Sequence, residues 1–122
     1  MRRIAYIILL VFILSACKKE YVQPKEIPET VSFSNDIIPI FSSYCVSCHV
    51  NGGSFQALIL TSDVAYDQLF TDGMNAPYIN LLDPTSSSLY LKMNTNMPPA
   101  GLLSSDKMEM ILKWIEQGAE NN

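Results

Sequence analysis

Apolar and polar positions divide the chain into three stretches. Arg2 and Arg3 precede an apolar run from Ile4 to Leu14, which closes with Ser15, Ala16 and Cys17. The next stretch, to Thr30, is polar, charged and proline-bearing (Lys18, Lys19, Glu20, Pro24, Lys25, Glu26, Pro28, Glu29). It cannot bury enough apolar surface to order itself and reads as a disordered tether. From Val31 onward apolar residues recur in short amphipathic groups, so the folded domain is expected to span 31–122.

Within that domain the local signals are helical, and the expected class is all-α. Ser34 is the expected N-cap of a first helix through Asp36, Ile37, Ile38, Ile40 and Phe41, bent or split by Pro39. Gly52-Gly53 marks a loop, and Ala57 to Leu60 is an apolar run that is either extended or lines a pocket. Thr61 or Ser62 is expected to cap a helix carrying Val64, Ala65, Leu69 and Phe70, with a loop from Thr71 to Pro77. Asp83-Pro84 reads as a turn, followed by a helix that starts between Ser86 and Ser88 and carries Leu89, Tyr90, Leu91 and Met93. The last helix is the clearest. Ser104 is its expected N-cap, Met108, Ile111, Leu112 and Ile115 its buried stripe, and Gly118 its stop, with Trp114 flanking the stripe.

Charge narrows the partners. From Val31 onward the basic residues are Lys92, Lys107 and Lys113, against Asp36, Asp63, Asp67, Asp72, Asp83, Asp106, Glu109, Glu116 and Glu120. Such a surface repels phosphate backbones, so no nucleic-acid partner is expected. A partner with a basic docking face is favoured.

The chemistry is concentrated in Cys45-Val46-Ser47-Cys48-His49, the C-x-x-C-H signature of covalent haem attachment. Two thiols three positions apart reach the two vinyl groups of one haem, and the adjacent imidazole ligates its iron. A thioredoxin-like motif would need a βαβ frame, which the pattern does not supply. A zinc site would need four ligands, and no second cysteine or histidine cluster completes the set.

His49 is the only histidine in the chain, so a second axial ligand must come from another residue type, and methionine sulfur is the usual choice. Met97 stands out, because Asn94-Thr95-Asn96-Met97-Pro98-Pro99 is non-helical and stiffened by two prolines. Met93 is its main competitor and Met74 a more remote one. Met108 and Met110 sit in a regular helix, where methionine ordinarily fills core space.

The amino-terminal pattern of positive, apolar and small residues followed by cysteine resembles that of bacterial lipoproteins. The resemblance implies a signal peptide over 1–16, cleavage before Cys17, lipidation of the Cys17 thiol and a tether over 17–30. It places the mature protein outside the cytoplasmic membrane, lipid-anchored in the bacterial cell envelope. With Cys17 assigned to lipid and Cys45 and Cys48 to haem, no cysteine is left over.

The segment Val31 to Phe41, the C-x-x-C-H motif, Met97-Pro98-Pro99, and a helix ending Trp114-Ile115-Glu116-Gln117-Gly118-Ala119 follow one another in an order that resembles the small monohaem cytochrome c domains of bacterial lipoproteins. The match runs from about Val31 to Ala119, and the stretch between Gly53 and Asp83 carries no motif that aligns. The resemblance implies a class I cytochrome c fold of short helices around one haem c. It further implies thioethers at Cys45 and Cys48, His49 as proximal ligand and Met97 as distal ligand. The expected role is transfer of single electrons between redox proteins, without enzymatic turnover. Two alternatives are a peroxidase or ligand sensor with an open or labile distal site, and a fixed electron-relay subunit of a membrane redox complex.

Overall fold

A computed structural model of the chain describes residues 26–122. The signal-peptide and lipidation expectations, Cys17 included, lie outside the described residues. Among the described residues all regular structure is helical, as the all-α reading expects. No helix among them is long and apolar enough to cross a membrane.

The first element is a π-helical turn, Phe33–Ile37, that runs directly into α1, Ile38–Tyr44. Its cap is Ser32 rather than the expected Ser34. The Ser32 hydroxyl accepts from the Asn35 N–H at 3.2 Å, and the Asp36 carboxylate accepts from the Ser32 N–H at 2.9 Å. This reciprocal pairing satisfies donors that a helix start otherwise leaves unpaired. The remaining first-turn donors are satisfied from the far end of the domain. Phe33 N–H donates to Asn122 Oδ1 at 2.8 Å, and Ser34 N–H donates to the Asn122 carbonyl oxygen at 2.9 Å.

Pro39 does not split this helix. Ile37 N–H reaches back to the Ser32 carbonyl at 3.2 Å and Ile38 N–H to that of Phe33, so the first turn is one residue wider than an α-turn. Pro39 then falls in the first turn of α1, where a missing N–H costs little.

Two short elements follow the loop after α1. α2 is Ala65–Asp67 and continues as a π-helical turn, Gln68–Asp72. Neither Thr61 nor Ser62 caps it through a hydroxyl. The Thr61 carbonyl accepts from Val64 and Ala65 N–H at 3.1 and 2.8 Å, while the Thr61 side chain bonds Asp63 and holds that carboxyl below its ordinary range. Asp83 leads into a 3₁₀ turn at Pro84–Ser86, and α3 spans Ser88–Thr95, as the turn and helix signals imply. Ser87, 1 % exposed, spends its hydroxyl on the Asn80 N–H at 2.9 Å rather than on capping α3.

α4, Ser105–Glu116, has the expected length, but its buried face is rotated from the expected stripe. Met110, Ile111, Trp114 and Ile115 are buried, whereas Met108 and Leu112 are half-buried. The tryptophan decides the rotation, since it has the largest apolar area to remove from water. Its indole stacks on Phe33 with ring centroids 5.1 Å apart, and its N–H donates to the Glu120 carbonyl at 3.0 Å. Phe33 also packs edge-on against Phe41 and Tyr66, at 6.3 and 5.3 Å. One aromatic ring thus locks the helix start, α2 and α4 around the hydrophobic core.

Gln117 ties the segment before the domain to the end of α4. Its Oε1 accepts from the Val31 N–H at 3.0 Å and its Nε2 donates to the Glu29 carbonyl at 2.6 Å. Ile27 packs against the core beside this clamp.

Candidate haem site

Phe41, buried at the centre of α1, delivers the Cys45 turn to its place. Its carbonyl accepts from both Cys45 and Val46 N–H, at 2.8 and 3.0 Å, and the chain then turns through Cys48 and His49 N–H to the Cys45 carbonyl at 3.1 and 2.9 Å. These two backbone bonds fold the five motif residues into a single tight turn.

The segment after the motif closes back on it. Phe55 N–H donates to the Cys48 carbonyl at 3.1 Å, and Leu60 N–H donates to the His49 carbonyl at 2.9 Å. The His49 side chain is fixed by the same segment, because its Nδ1 lies 2.9 Å from the Leu58 carbonyl oxygen. A carbonyl only accepts, so Nδ1 carries the proton. In the neutral ring this leaves Nε2 with its lone pair free, the tautomer a metal-ligating imidazole needs. Phe55 stacks on the ring at 5.8 Å and 26°.

Two adjoining compartments open around these residues, and both are bounded by Cys45, His49, Phe55, Met93 and Met97. The first, of about 190 Å³, extends to Tyr44, Ser47, Cys48 and Pro98-Pro99-Ala100. The second, of about 270 Å³, extends to Ala57, Leu58, Leu60, Tyr78, Leu89 and Lys92. Together they are the size of a small-molecule pocket, for which about 300–1,000 Å³ is usual. Their walls are mainly apolar, and neither contains an aspartate or glutamate.

Cys45, Cys48, His49 and Met97 therefore share one cavity, although they come from separate parts of the chain. Met97 sits half-buried just past α3, held by a bond from its N–H to the Lys92 carbonyl at 3.0 Å. Met93 reaches the same two compartments but is 3 % exposed and packed into the core. Met74, 78 % exposed, lines neither. Among the aromatic side chains, Tyr44, Phe55 and Tyr78 bound the cavity, whereas Phe41 belongs to the core and Tyr90 bounds neither compartment.

The unaligned stretch from Gly53 to Asp83 supplies much of the wall. Its contribution includes Phe55, Ala57, Leu58, Leu60 and Tyr78. The apolar run of Ala57 to Leu60 is the one sequence signal for this. Nothing marked Leu58 as the partner of His49, since a carbonyl oxygen has no identity in a sequence.

The Cys45 thiol suits thioether formation better than metal or redox chemistry as a thiolate. Burial pushes the Cys45 thiol up to about 11, which keeps it protonated at neutral pH. Among the described residues no cluster of three or more histidine, cysteine or acidic side chains is placed to hold a metal ion. A flat apolar group bearing two reactive edges and a metal that wants nitrogen and sulfur fits what is here: apolar walls, two thiols, one free imidazole nitrogen and methionine sulfur. Comparison of the chain with protein-family models, with curated proteins and with solved structures finds no match.

Proposed function

We propose that the chain is a membrane-anchored c-type cytochrome that carries single electrons between redox proteins through one haem c with histidine and methionine ligands. The observation that carries this reading is the shared cavity of Cys45, Cys48, His49 and Met97, with the His49 Nδ1 proton committed to Leu58. Bound haem supplies a one-electron ferric/ferrous couple.

The chain's own residues account for the rest. Cys45 and Cys48 would hold the group through two thioethers, each thiol adding its S–H across one vinyl group, which would leave no free thiol among the described residues. His49 offers Nε2 to the metal, and its bond to Leu58 orients the ring and raises its basicity. Met97 offers a neutral thioether, which favours the lower metal charge and so raises the potential. Were His49 and Met97 both to ligate the metal, no coordination position would remain for substrate, as an electron carrier needs and a peroxidase or sensor does not. Leu58, Leu60, Leu89 and Met93, all buried, give the second compartment an apolar wall.

The anchor and compartment follow from the amino-terminal pattern: lipid on Cys17, residence in the bacterial cell envelope, and a tether long enough for the domain to move between partners. A basic docking face on those partners complements the acidic domain.

The test is expression of the full chain in a host that matures c-type cytochromes. The expected product is coloured, heavier than the mature polypeptide by lipid and one porphyrin, and shows a sulfur-to-iron charge-transfer band when oxidised. Met97→Ala should remove that band and Met93→Ala should keep it. A colourless product with no added porphyrin mass overturns the proposal.

A further inference from the structure

The turn from Asn80 to Ser86 displays two leucines to solvent. Leu81 is 52 % exposed and Leu82 99 %, yet the backbone that carries them is tightly braced. Asn80 N–H donates to the hydroxyl of buried Ser87 at 2.9 Å, and its Nδ2 donates to Ser86 Oγ at 2.9 Å. Its Oδ1 accepts from the Leu82 and Asp83 N–H at 3.0 and 3.2 Å. Ile79, buried just before the turn, pins it to the core. Apolar side chains on a preformed turn cost a binding partner little ordering entropy.

Beside this turn lies an open groove of about 520 Å³, bounded by Phe70, Pro77, Tyr78 and Leu81 and closed by Ser86. It shares no residue with the first compartment, where both thiols are found. Tyr78 bounds the groove and the second compartment alike, so a side chain seated in the groove touches a wall of the candidate haem cavity. Tyr78 is itself held in place. Its carbonyl accepts from the Leu89 N–H at 3.1 Å, and Gly73 makes room for its ring, since a Cβ there would stand 2.7 Å from Tyr78 Cε2.

Charge selects the occupant. From Glu26 to Leu91 the chain carries no lysine or arginine, while Asp83 follows Leu82 and Asp72 ends the π-helical turn that carries Phe70. Lys92, on α3, bounds the second compartment and not the groove. A second copy of the chain would bring one acidic rim against another, and anionic lipid would be repelled in the same way. Resting on the haem reading above, we infer that the groove and the Leu81–Leu82 turn are the docking surface for a one-electron redox protein that presents a bulky apolar side chain inside a ring of lysine or arginine. The apolar side chain enters the groove against Tyr78 and Leu81, Leu82 packs on the partner's surface, and the basic ring faces Asp72 and Asp83. A single electron passes between the docked proteins, one being oxidised as the other is reduced.

The experiment places the haem-loaded full chain in phosphatidylcholine nanodiscs and uses as probe the peptide Lys-Lys-Leu-Leu-Lys-Lys, labelled at one end with a ruthenium trisbipyridyl photoreductant. Two readouts are taken: binding by luminescence anisotropy, and the rate at which the porphyrin absorption turns ferrous after a laser flash. The double substitution Leu81→Ser with Leu82→Ser should weaken binding about tenfold or more, and Asp83→Asn about two- to fivefold, with flash reduction slowed in step. Leu102→Ser, which alters an exposed leucine outside the groove, should change neither readout. The labelled peptides Lys-Lys-Ser-Ser-Lys-Lys and Glu-Glu-Leu-Leu-Glu-Glu should bind about tenfold more weakly or less. Binding that survives the double substitution, or that Leu102→Ser weakens equally, overturns the inference. A dimer of the full chain in detergent that the double substitution dissolves also overturns it, giving the groove to a second copy. Binding seen in detergent but lost in the nanodiscs overturns it too, giving the face to lipid. A haem-loaded chain that ignores the peptide refutes the docking surface alone, whereas absence of porphyrin absorption refutes the haem reading and leaves anisotropy to decide the surface by itself.

Discussion

Replacing Gly53 by alanine should damage the site through one methyl group. A Cβ at this position would stand 2.5 Å from the Cys48 carbonyl oxygen and 3.0 Å from both Cγ1 and the carbonyl oxygen of Val50. The Cys48 oxygen is the acceptor for the Phe55 N–H at 3.1 Å, and Gly53 N–H itself donates to Val50 at 2.8 Å. The methyl meets backbone rather than the end of a flexible side chain, so the turn must open. Losing the Phe55 bond costs about 0.5–1.5 kcal/mol. Forcing an extra carbon into a packed turn adds about 1–3 kcal/mol, for about 2–4 kcal/mol together.

Gly52→Ala is the matched control. That residue sits at φ +79°, so alanine is strained there, but its Cβ would meet nothing within 4 Å. The cost of a left-handed alanine is about 1–2 kcal/mol. For a domain of this size each kcal/mol moves the melting temperature by about 4–8 °C. Thermal melts of the two haem-loaded variants should therefore rank Gly53→Ala below Gly52→Ala. Amide hydrogen exchange should show Phe55 unprotected in Gly53→Ala and protected in Gly52→Ala. Equal melting temperatures, or retained protection of Phe55 in Gly53→Ala, would refute the reasoning.

Three further outcomes are expected. Trp114→Ala should cost about 3–5 kcal/mol in denaturant unfolding, while Trp114→Phe, which keeps much of the stacking on Phe33 and loses the bond to Glu120, should cost about 1–2 kcal/mol. Gln117→Ala should remove both bonds to the segment before the domain and raise exchange at the Val31 amide by about tenfold or more, with the haem spectrum unchanged. In the folded haem-free chain, the raised pKa of Cys45 should slow its alkylation at pH 8 about tenfold relative to an unperturbed thiol, the scarcity of thiolate being partly offset by its greater nucleophilicity, and the rate should climb as pH rises toward about 11; mass spectrometry of the Cys45 peptide reads it.

What the sequence disclosed and what it withheld divide along a physical line. Spacing and local chemistry were enough for the Asp83-Pro84 turn and for the existence of α3 and α4, all set by residues within a few positions of one another. The face of α4 was misread because the three-and-four repeat is satisfied both by Met108, Ile111, Leu112 and Ile115 and by Met110, Ile111, Trp114 and Ile115. Only the partner ring, Phe33, chooses between them. The cap of the first helix was placed two residues late for a similar reason, since Ser34 is a good cap by type but its N–H and hydroxyl are taken by Asn122. At the candidate site, the thiols, the imidazole and Met97 were legible as residue types in a pattern. The Leu58 carbonyl that orients His49 depends on how distant stretches meet, which no spacing encodes.

The arrangement at Asn122 has a mechanical consequence. This residue is bonded to Ser32, Phe33 and Ser34, while Gln117, five positions earlier, grips Glu29 and Val31. A pull applied ahead of Glu26 is thus resisted first by the seam between the helix start and the tail of α4. The Cys45–His49 turn lies beyond that seam, so a force entering at Glu26 would load the contacts of Gln117 and Asn122 before it reached the motif.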